Sequence, residues 1–300
     1  MAKHLEGRNA VVTGGARGIG RAVSLELAAQ GAKVVVSDLG GAKDGEGADK
    51  SAAELVVEEI KKAGGTAVAS GEDVTNFEGA GRMIQTCVDN FGRIDILINC
   101  AGILRDRMIF NMSEAEWDAV IAVHLKGMYT TVRHATPLMR EQKWGRIVTT
   151  TSDAWRGAPG QGNYAAAKGG IVSLTRTVAG EMGKYNVTCN AIAPLAATRM
   201  TMDDEVKNRM KRALEAGMVT QEQYEELVNM PGPELLAPVV AYLCTEEGAA
   251  INGKVIGCGG GRMALYSEPV EIRGLYKDYR KDGPWAVDDL IKLVPGTLLA

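Results

Sequence analysis

Three hundred residues carrying 34 basic, 37 acidic and 37 glycine residues give a net charge of −3, with no long run of one sign. That balance excludes a nucleic-acid binder that works by neutralising phosphates. The 46 % apolar content excludes disorder, and the lack of a Gly-x-y period excludes collagen.

No apolar stretch reaches the ~20 residues of a membrane helix, so no membrane partner is expected. Five cysteines lack zinc-like spacing, there are three histidines, and no HExxH occurs. No metal site is expected, and the thiols read as small buried groups in a reducing cytoplasm. Met1–Gly7 has no apolar signal core and the final Leu-Leu-Ala is no peroxisomal address, which also points to the cytoplasm.

In chain order, short apolar runs are expected as strands at Ala10–Thr13, Lys33–Ser37, Ala67–Ser70, Ile94–Asn99, Ile147–Thr151, Val187–Ile192 and Val255–Gly257. Between the early ones lie helical patterns such as Ile19/Val23/Leu27. Near-continuous apolar strands alternating with helices predict an α/β fold, a single Rossmann-like, doubly wound parallel sheet with helices on both faces. No linker divides the chain. One domain is expected over 1–264, with a C-terminal extension over 265–300 in which Pro284-Trp285 leads into a short amphipathic helix packed on its own or a partner subunit.

The first strand runs into Thr13-Gly14-Gly15-Ala16-Arg17-Gly18-Ile19-Gly20. Glycines there allow a tight turn and close approach of backbone to a pyrophosphate, and the helix that follows offers unpaired N–H groups. The second strand ends at Asp38, whose carboxylate suits adenosine ribose hydroxyls and repels a 2′-phosphate. NAD is therefore preferred to NADP, although the Arg17 guanidinium could tolerate phosphate. Residues 39–50 form a polar, glycine-rich surface loop. Asp73-Val74 and Asn99-Cys100-Ala101-Gly102 follow the third and fourth strands, where open sheets bind ligands. Asp73 serves either the cofactor or a helix N-cap.

Tyr164 and Lys168 sit four apart on a predicted helix and share one face. A cation fixed beside a phenol favours phenolate. The pair follows a strand that ends Thr149-Thr150-Thr151-Ser152. Residues 195–232 are charged, helix-forming and rich in methionine (Met200, Met202, Met210, Met218, Met230). They are either an adaptable lid over substrate or a helix's buried stripe. Lys207, Arg209, Lys211 and Arg212 either meet CoA phosphates or form a solvated face. Arg105 and Arg107 follow the fourth strand without an assigned role.

TGGARGIG at 13–20, NCAG at 99–102, Ser152, Tyr164xxxLys168 and Asn190-Ala-Ile-Ala-Pro194 together resemble the short-chain dehydrogenase/reductase family, over roughly residues 5–262. The resemblance implies Tyr164 as proton donor and acceptor, and Ser152 as the group that orients a carbonyl. Lys168 would bind the nicotinamide ribose and lower the Tyr164 pKa. Gly14, Arg17, Gly18, Ile19, Gly20, Asp38, Asp73, Val74, Asn99, Ala101, Gly102, Tyr164, Lys168, Pro194 and Thr198 would bind the cofactor. Three departures stand out. Ser152 lies 12 rather than the usual 13 residues before the tyrosine: counting back from Tyr164 selects Thr151, counting forward from the strand start Arg146 selects Ser152, and Ser152 is preferred with a one-residue deletion in the loop Asp153–Gly162. Val123-His124-Leu125 replaces a usual asparagine; His124 either relays protons or is a core histidine. Pro194-Leu195 replaces a Pro-Gly, with Thr198 kept nearby.

Ser37-Asp38-Leu39-Gly40-Gly41, Ala101–Arg107, Val123–Gly127 and Cys189–Pro194 resemble more narrowly the dehydrogenase unit of type 2 peroxisomal multifunctional enzymes. That unit oxidises (3R)-hydroxyacyl-CoA with NAD, and some relatives act on 17β-hydroxysteroids. The resemblance implies an oxidoreductase of fatty acid metabolism, acting on an acyl-CoA or steroid-like small molecule and assembling as a homodimer or homotetramer. The reading of another class is a non-catalytic NAD-sensing protein on the same fold.

Overall fold

The computed structural model describes residues 3–47, 49, 51–198, 202 and 204–299. The chain divides into two units, Met1–Leu265 and Tyr266–Ala300. The first unit is built on one sheet, whose strands are β1 (Asn9–Thr13), β2 (Lys33–Ser37), β3 (Thr66–Ser70), β4 (Ile96–Asn99), β5 (Gly145–Thr150), β6 (Val187–Pro194), β7 (Val255–Gly259) and β8 (Arg262–Leu265). Their order is β3-β2-β1-β4-β5-β6-β7-β8, parallel except for the last pair.

Adjacent residues on each strand face opposite layers, which is why the central strands are apolar throughout. Val12, Val34, Val36, Ile96 and Ile98 pack on one side against α1 (Gly18–Ala29), α2 (Ser51–Lys62) and α9 (Ala237–Leu243). Val11, Val35, Leu97 and Ile147 pack on the other against α3 (Phe77–Phe91), α5 (Gly127–Gln142) and α6 (Gly162–Met182). The remaining helices of this unit are α4 (Glu114–Ile121), α7 (Asp204–Glu215) and α8 (Gln221–Val228). Strand order reverses direction at β1, between β2 and β4, which opens a crevice at the carboxyl ends.

Two features differ from the sequence reading. The sheet has an eighth, antiparallel strand. Gly260 and Gly261 both have positive φ and make the two-residue hairpin that returns the chain from β7 as β8. Between α4 and α5 lies one turn of π-helix, Ala122–Lys126, with His124 in it. Among the described residues no helix is long and apolar enough to cross a membrane. The second unit contains α10 (Tyr279–Asp282) and α11 (Val287–Leu293); Pro284 lies ahead of the latter.

Candidate active site

The crevice is a cavity of about 570 Å³, within the range of small-molecule and cofactor sites. One wall is the turn from β1 into α1. Gly14 has φ +63°, and a Cβ there would lie 2.8 Å from the Ala101 backbone nitrogen. A Cβ on Gly20 would collide with the Gly14 carbonyl. Thr13 Oγ1 accepts from the N–H groups of Cys100 and Ala101 at 3.2 Å each, locking this turn to the end of β4. A side chain at Gly14 or Gly20 would force this packed turn apart, and the bare backbone beside the start of α1 fits a dinucleotide pyrophosphate.

Asp38 ends β2 and holds the turn from its far side. Its carboxylate accepts from Ala16 N–H (3.0 Å) and Gly40 N–H (2.7 Å), and still lines the cavity. Arg17 lines the same cavity and donates to the carbonyls of Gly40 (3.3 Å) and Gly41 (2.9 Å). Gly18, Ile19, Asp73, Val74, Ala101, Gly102, Pro194 and Thr198 also line the cavity. Asp73 does not cap α3. That position belongs to Asn76, which accepts from Gly79 N–H, while Asp73 closes a turn on Thr75. Asn99 does not reach the main cavity. Its side chain turns to α5, where Oδ1 accepts from Thr131, and its buried Nδ2 has no hydrogen-bond partner among the described residues.

At the deep end of the crevice Ser152, Tyr164 and Lys168 converge. Tyr164 and Lys168 lie one turn apart on α6, and Lys168 Nζ stands 5.3 Å from the Tyr164 ring centre. Lys168 donates to the Thr150 carbonyl at 2.6 Å. Thr151 is buried and donates to the Lys168 carbonyl, so it pins α6 to the end of β5. Ser152 is the next residue and faces the phenol, with which it forms a hydrogen bond. Burial pushes the Tyr164 phenol above its ordinary range, the Ser152 bond opposes this, and Asp106 adds to the rise. Burial likewise pushes Lys168 down to about 7. In the protein alone, desolvation therefore outweighs the lowering of Tyr164 expected from its neighbour.

His124 is buried behind this pair, edge-on to the Tyr164 ring at 5.1 Å between centres. Its Nε2 meets the backbone of Ile103, 3.1 Å from the nitrogen and 2.8 Å from the oxygen. Burial, then the Lys168 charge, holds it well below the ordinary histidine range, so the ring is neutral. A Cβ on Gly102 would collide with His124 Cε1, which shows how closely the NCAG turn is fitted to that ring.

Of the methionines in 195–232, Met210 and Met230 line the cavity, joined by Val206. Met218 is exposed. Met200 lies outside the described residues. Lys207, Lys211 and Arg212 are exposed on α7; the side chain of Arg209 also lies outside what is described. Sequence reasoning missed Asp106 and Gln161, joined by a 3.0 Å hydrogen bond at the cavity wall. It also missed the wall formed by Gly41, Ala42, Gly45 and Gly47, because polarity read that stretch as surface.

The pattern that defines the short chain dehydrogenases matches residues 8–210. A short-chain type dehydrogenase/reductase of Mycobacterium tuberculosis is 47 % identical over 87 % of this chain and 86 % of its own. Peroxisomal multifunctional enzyme type 2 of Drosophila melanogaster is 46 % identical over 84 % of this chain, which spans only 38 % of that longer protein. Hydroxyacyl-CoA dehydrogenase ChsB1 of M. tuberculosis is 40 % identical over 88 % and 81 %. A solved short chain dehydrogenase from Mycobacterium avium superposes with a TM-score of 0.81 at 41 % identity, covering 98 % of this chain and 95 % of that one. With that extent of match and a crevice lined by the same motifs, the chain belongs to the short-chain dehydrogenase family of oxidoreductases.

Proposed function

We propose that the protein is an NAD-dependent dehydrogenase that interconverts a (3R)-hydroxyacyl-CoA and its 3-ketoacyl-CoA. The observation that carries this reading is the convergence of Ser152, Tyr164 and Lys168 at one end of a crevice whose other end is the Asp38 carboxylate. A nicotinamide bound there supplies hydride chemistry at its C4. The chain supplies the proton chemistry. As phenolate, Tyr164 Oη would accept the substrate hydroxyl proton in the oxidation and become the phenol; as phenol it would return that proton in the reverse direction. Ser152 donates to the carbonyl oxygen and fixes its distance from the phenol. Lys168 would hold the nicotinamide ribose and, as the ammonium, would stabilise the Tyr164 phenolate beside it. Neutral His124 packs the phenol ring and keeps its edge dry.

Asp38 supports NAD over NADP, because its carboxylate repels a 2′-phosphate at close range and Arg17 is committed to Gly40 and Gly41. The name of the hydroxyacyl-CoA dehydrogenase relative supports the thioester substrate, and the adaptable Met210 and Met230 wall suits an acyl chain. Five free thiols suit the reducing cytoplasm, and assembly as a homo-oligomer belongs to the same reading.

The test follows NADH absorbance with a panel of (3R)-hydroxyacyl-CoA chain lengths and hydroxysteroids, for the unaltered protein and Tyr164→Phe. Turnover of the thioesters with NAD, reduced at least ~10²-fold in the variant, is expected. Preference for steroids would move the substrate assignment. Turnover unchanged by Tyr164→Phe would refute the mechanism.

A further inference from the structure

The segment after β2 doubles back on itself and crosses the crevice. Ala42 N–H donates to the Glu46 carbonyl at 2.7 Å, and Asp49 N–H returns to the Leu39 carbonyl at 2.9 Å. Arg17 fixes its root through the Gly40 and Gly41 carbonyls. Its tip is tied to the opposite wall. Leu104 N–H donates to the Lys43 carbonyl at 3.0 Å, and Arg105 Nε donates to the Asp44 carbonyl at 3.0 Å. Gly45, with φ +91°, approaches Ile103 so closely that a Cβ would stand 3.2 Å from its Cγ2.

Lys43 and Asp44 follow β2, whereas Leu104 and Arg105 follow β4, and β1 lies between those strands. The bonds therefore span the carboxyl end of β1, where the glycine turn enters α1. Gly41, Ala42, Gly45 and Gly47 line the same cavity from this side. The geometry points to a strap closed over the adenosine end of the cofactor site, with Arg105 as the positioning residue that holds it shut. This inference rests on the reading of the crevice as an NAD site.

The chemistry of the closure is specific. Both ties end on backbone carbonyls of the loop, so they fix its path whatever side chains the loop carries. The Arg105 contact is partly buried and charge-assisted, which makes it stronger than a neutral hydrogen bond. A dinucleotide enters or leaves this end only when the ties at Lys43 and Asp44 open. The strap thus sets the rate of cofactor exchange and leaves Ser152, Tyr164 and Lys168 untouched.

The experiment measures NADH release by stopped-flow fluorescence from the full chain and from Arg105→Ala, beside steady-state kinetics with NAD. Dissociation about tenfold faster is expected, as loss of one charge-assisted hydrogen bond implies, with KM for NAD rising in step and kcat not falling. Arg105→Lys should fall between the two. Unchanged release in Arg105→Ala would overturn the inference. A second measurement needs no variant: saturating NADH should slow hydrogen exchange at the amides of Leu104, Ala42 and Gly45 in the unaltered protein. Exchange there that is indifferent to NADH also overturns it. Failure to bind NADH or NADPH in the fluorescence titration is a different result, which removes the cofactor reading itself.

Discussion

Lys168 sits in a dry pocket where its ammonium has the Thr150 carbonyl and no carboxylate, so its proton is held loosely, at a pKa of about 7. In the unfolded chain the same group titrates near 10.5. Between those values the unfolded chain binds a proton that the folded chain lacks, so this lysine lowers stability as pH falls from about 10.5 to about 7, and the penalty is constant below that. Cys87, Cys189 and Cys244, pushed up to about 12 by burial, cost stability above their unfolded value of 9.0, which leaves pH 7–9 as the clean window. Lys168→Met should therefore be more stable than the natural protein at pH 7, by on the order of a few kcal/mol, with the gap narrowing toward pH 9. Urea unfolding at the two ends of that range measures it; a variant less stable at both, with a constant gap, would refute the account. His124 acts at the acid side. Its folded pKa lies well below 6.5, so stability is lost as pH drops below 6.5 and the unfolded imidazole protonates. His124→Asn should flatten that acid limb, read as the unfolding midpoint between pH 6.5 and 5.

Elements show why those residues meet. The turn between β1 and α1 has no room for a methyl group at Gly20, since a Cβ would strike the Gly14 carbonyl. Gly20→Ala is expected to destabilise the fold by roughly 1–3 kcal/mol and to weaken NADH binding together with it, measured by thermal unfolding and fluorescence titration. This turn was legible from glycine spacing after an apolar run, and so were the seven parallel strands, because buried strands announce themselves as short apolar runs. Tyr164 and Lys168 were legible as an i,i+4 pair on one helix. The parts that were not legible depend on tertiary contact. The π-turn at Ala122–Lys126 has no local signature, yet it carries His124 to the Tyr164 ring. Counting back from Tyr164 selects Thr151 and counting forward from Arg146 selects Ser152, the residue the sequence already preferred; the fold adds the reason, with Thr151 buried against α6 and Ser152 facing the phenol. The loop at 39–50 read as solvated because it is polar, but the Lys43 and Asp44 carbonyls within it are backbone ties across a crevice that no periodicity reveals. The strand β8 had a usable signal, the Gly260-Gly261 pair between extended segments.

Across the first unit as a whole, the work of the two sheet ends is separate. The carboxyl ends carry the cavity. The amino ends carry a clamp in which the guanidinium groups of Arg8 and Arg146 cover the Trp144 ring at 3.7 and 4.3 Å from its centre. Arg146 is fully buried and donates to the carbonyls of Gly145, Asn186 and Thr245. Glu246 closes the clamp, accepting from Arg8, from Trp144 Nε1 at 2.8 Å and from Arg146 at 3.4 Å. It thereby joins the segments before β1, at β5 and after α9, three parts of the chain far apart in sequence. Its own side chain is 59 % exposed, so water screens much of the attraction, and its worth lies in satisfying three donors at once. Glu246→Ala leaves the Arg146 charge with carbonyl partners but no carboxylate from this side, and strips Trp144 of its acceptor. A loss of roughly 1–2 kcal/mol is expected, seen as a lower Tm. Because the clamp lies at the end of the sheet opposite the crevice, kcat and the KM for NAD should stay at their natural values at temperatures where the variant is folded. A Glu246→Ala protein with natural Tm would show that the three donors find water without cost. One with natural Tm and altered kinetics would instead show that the two ends of the sheet are coupled.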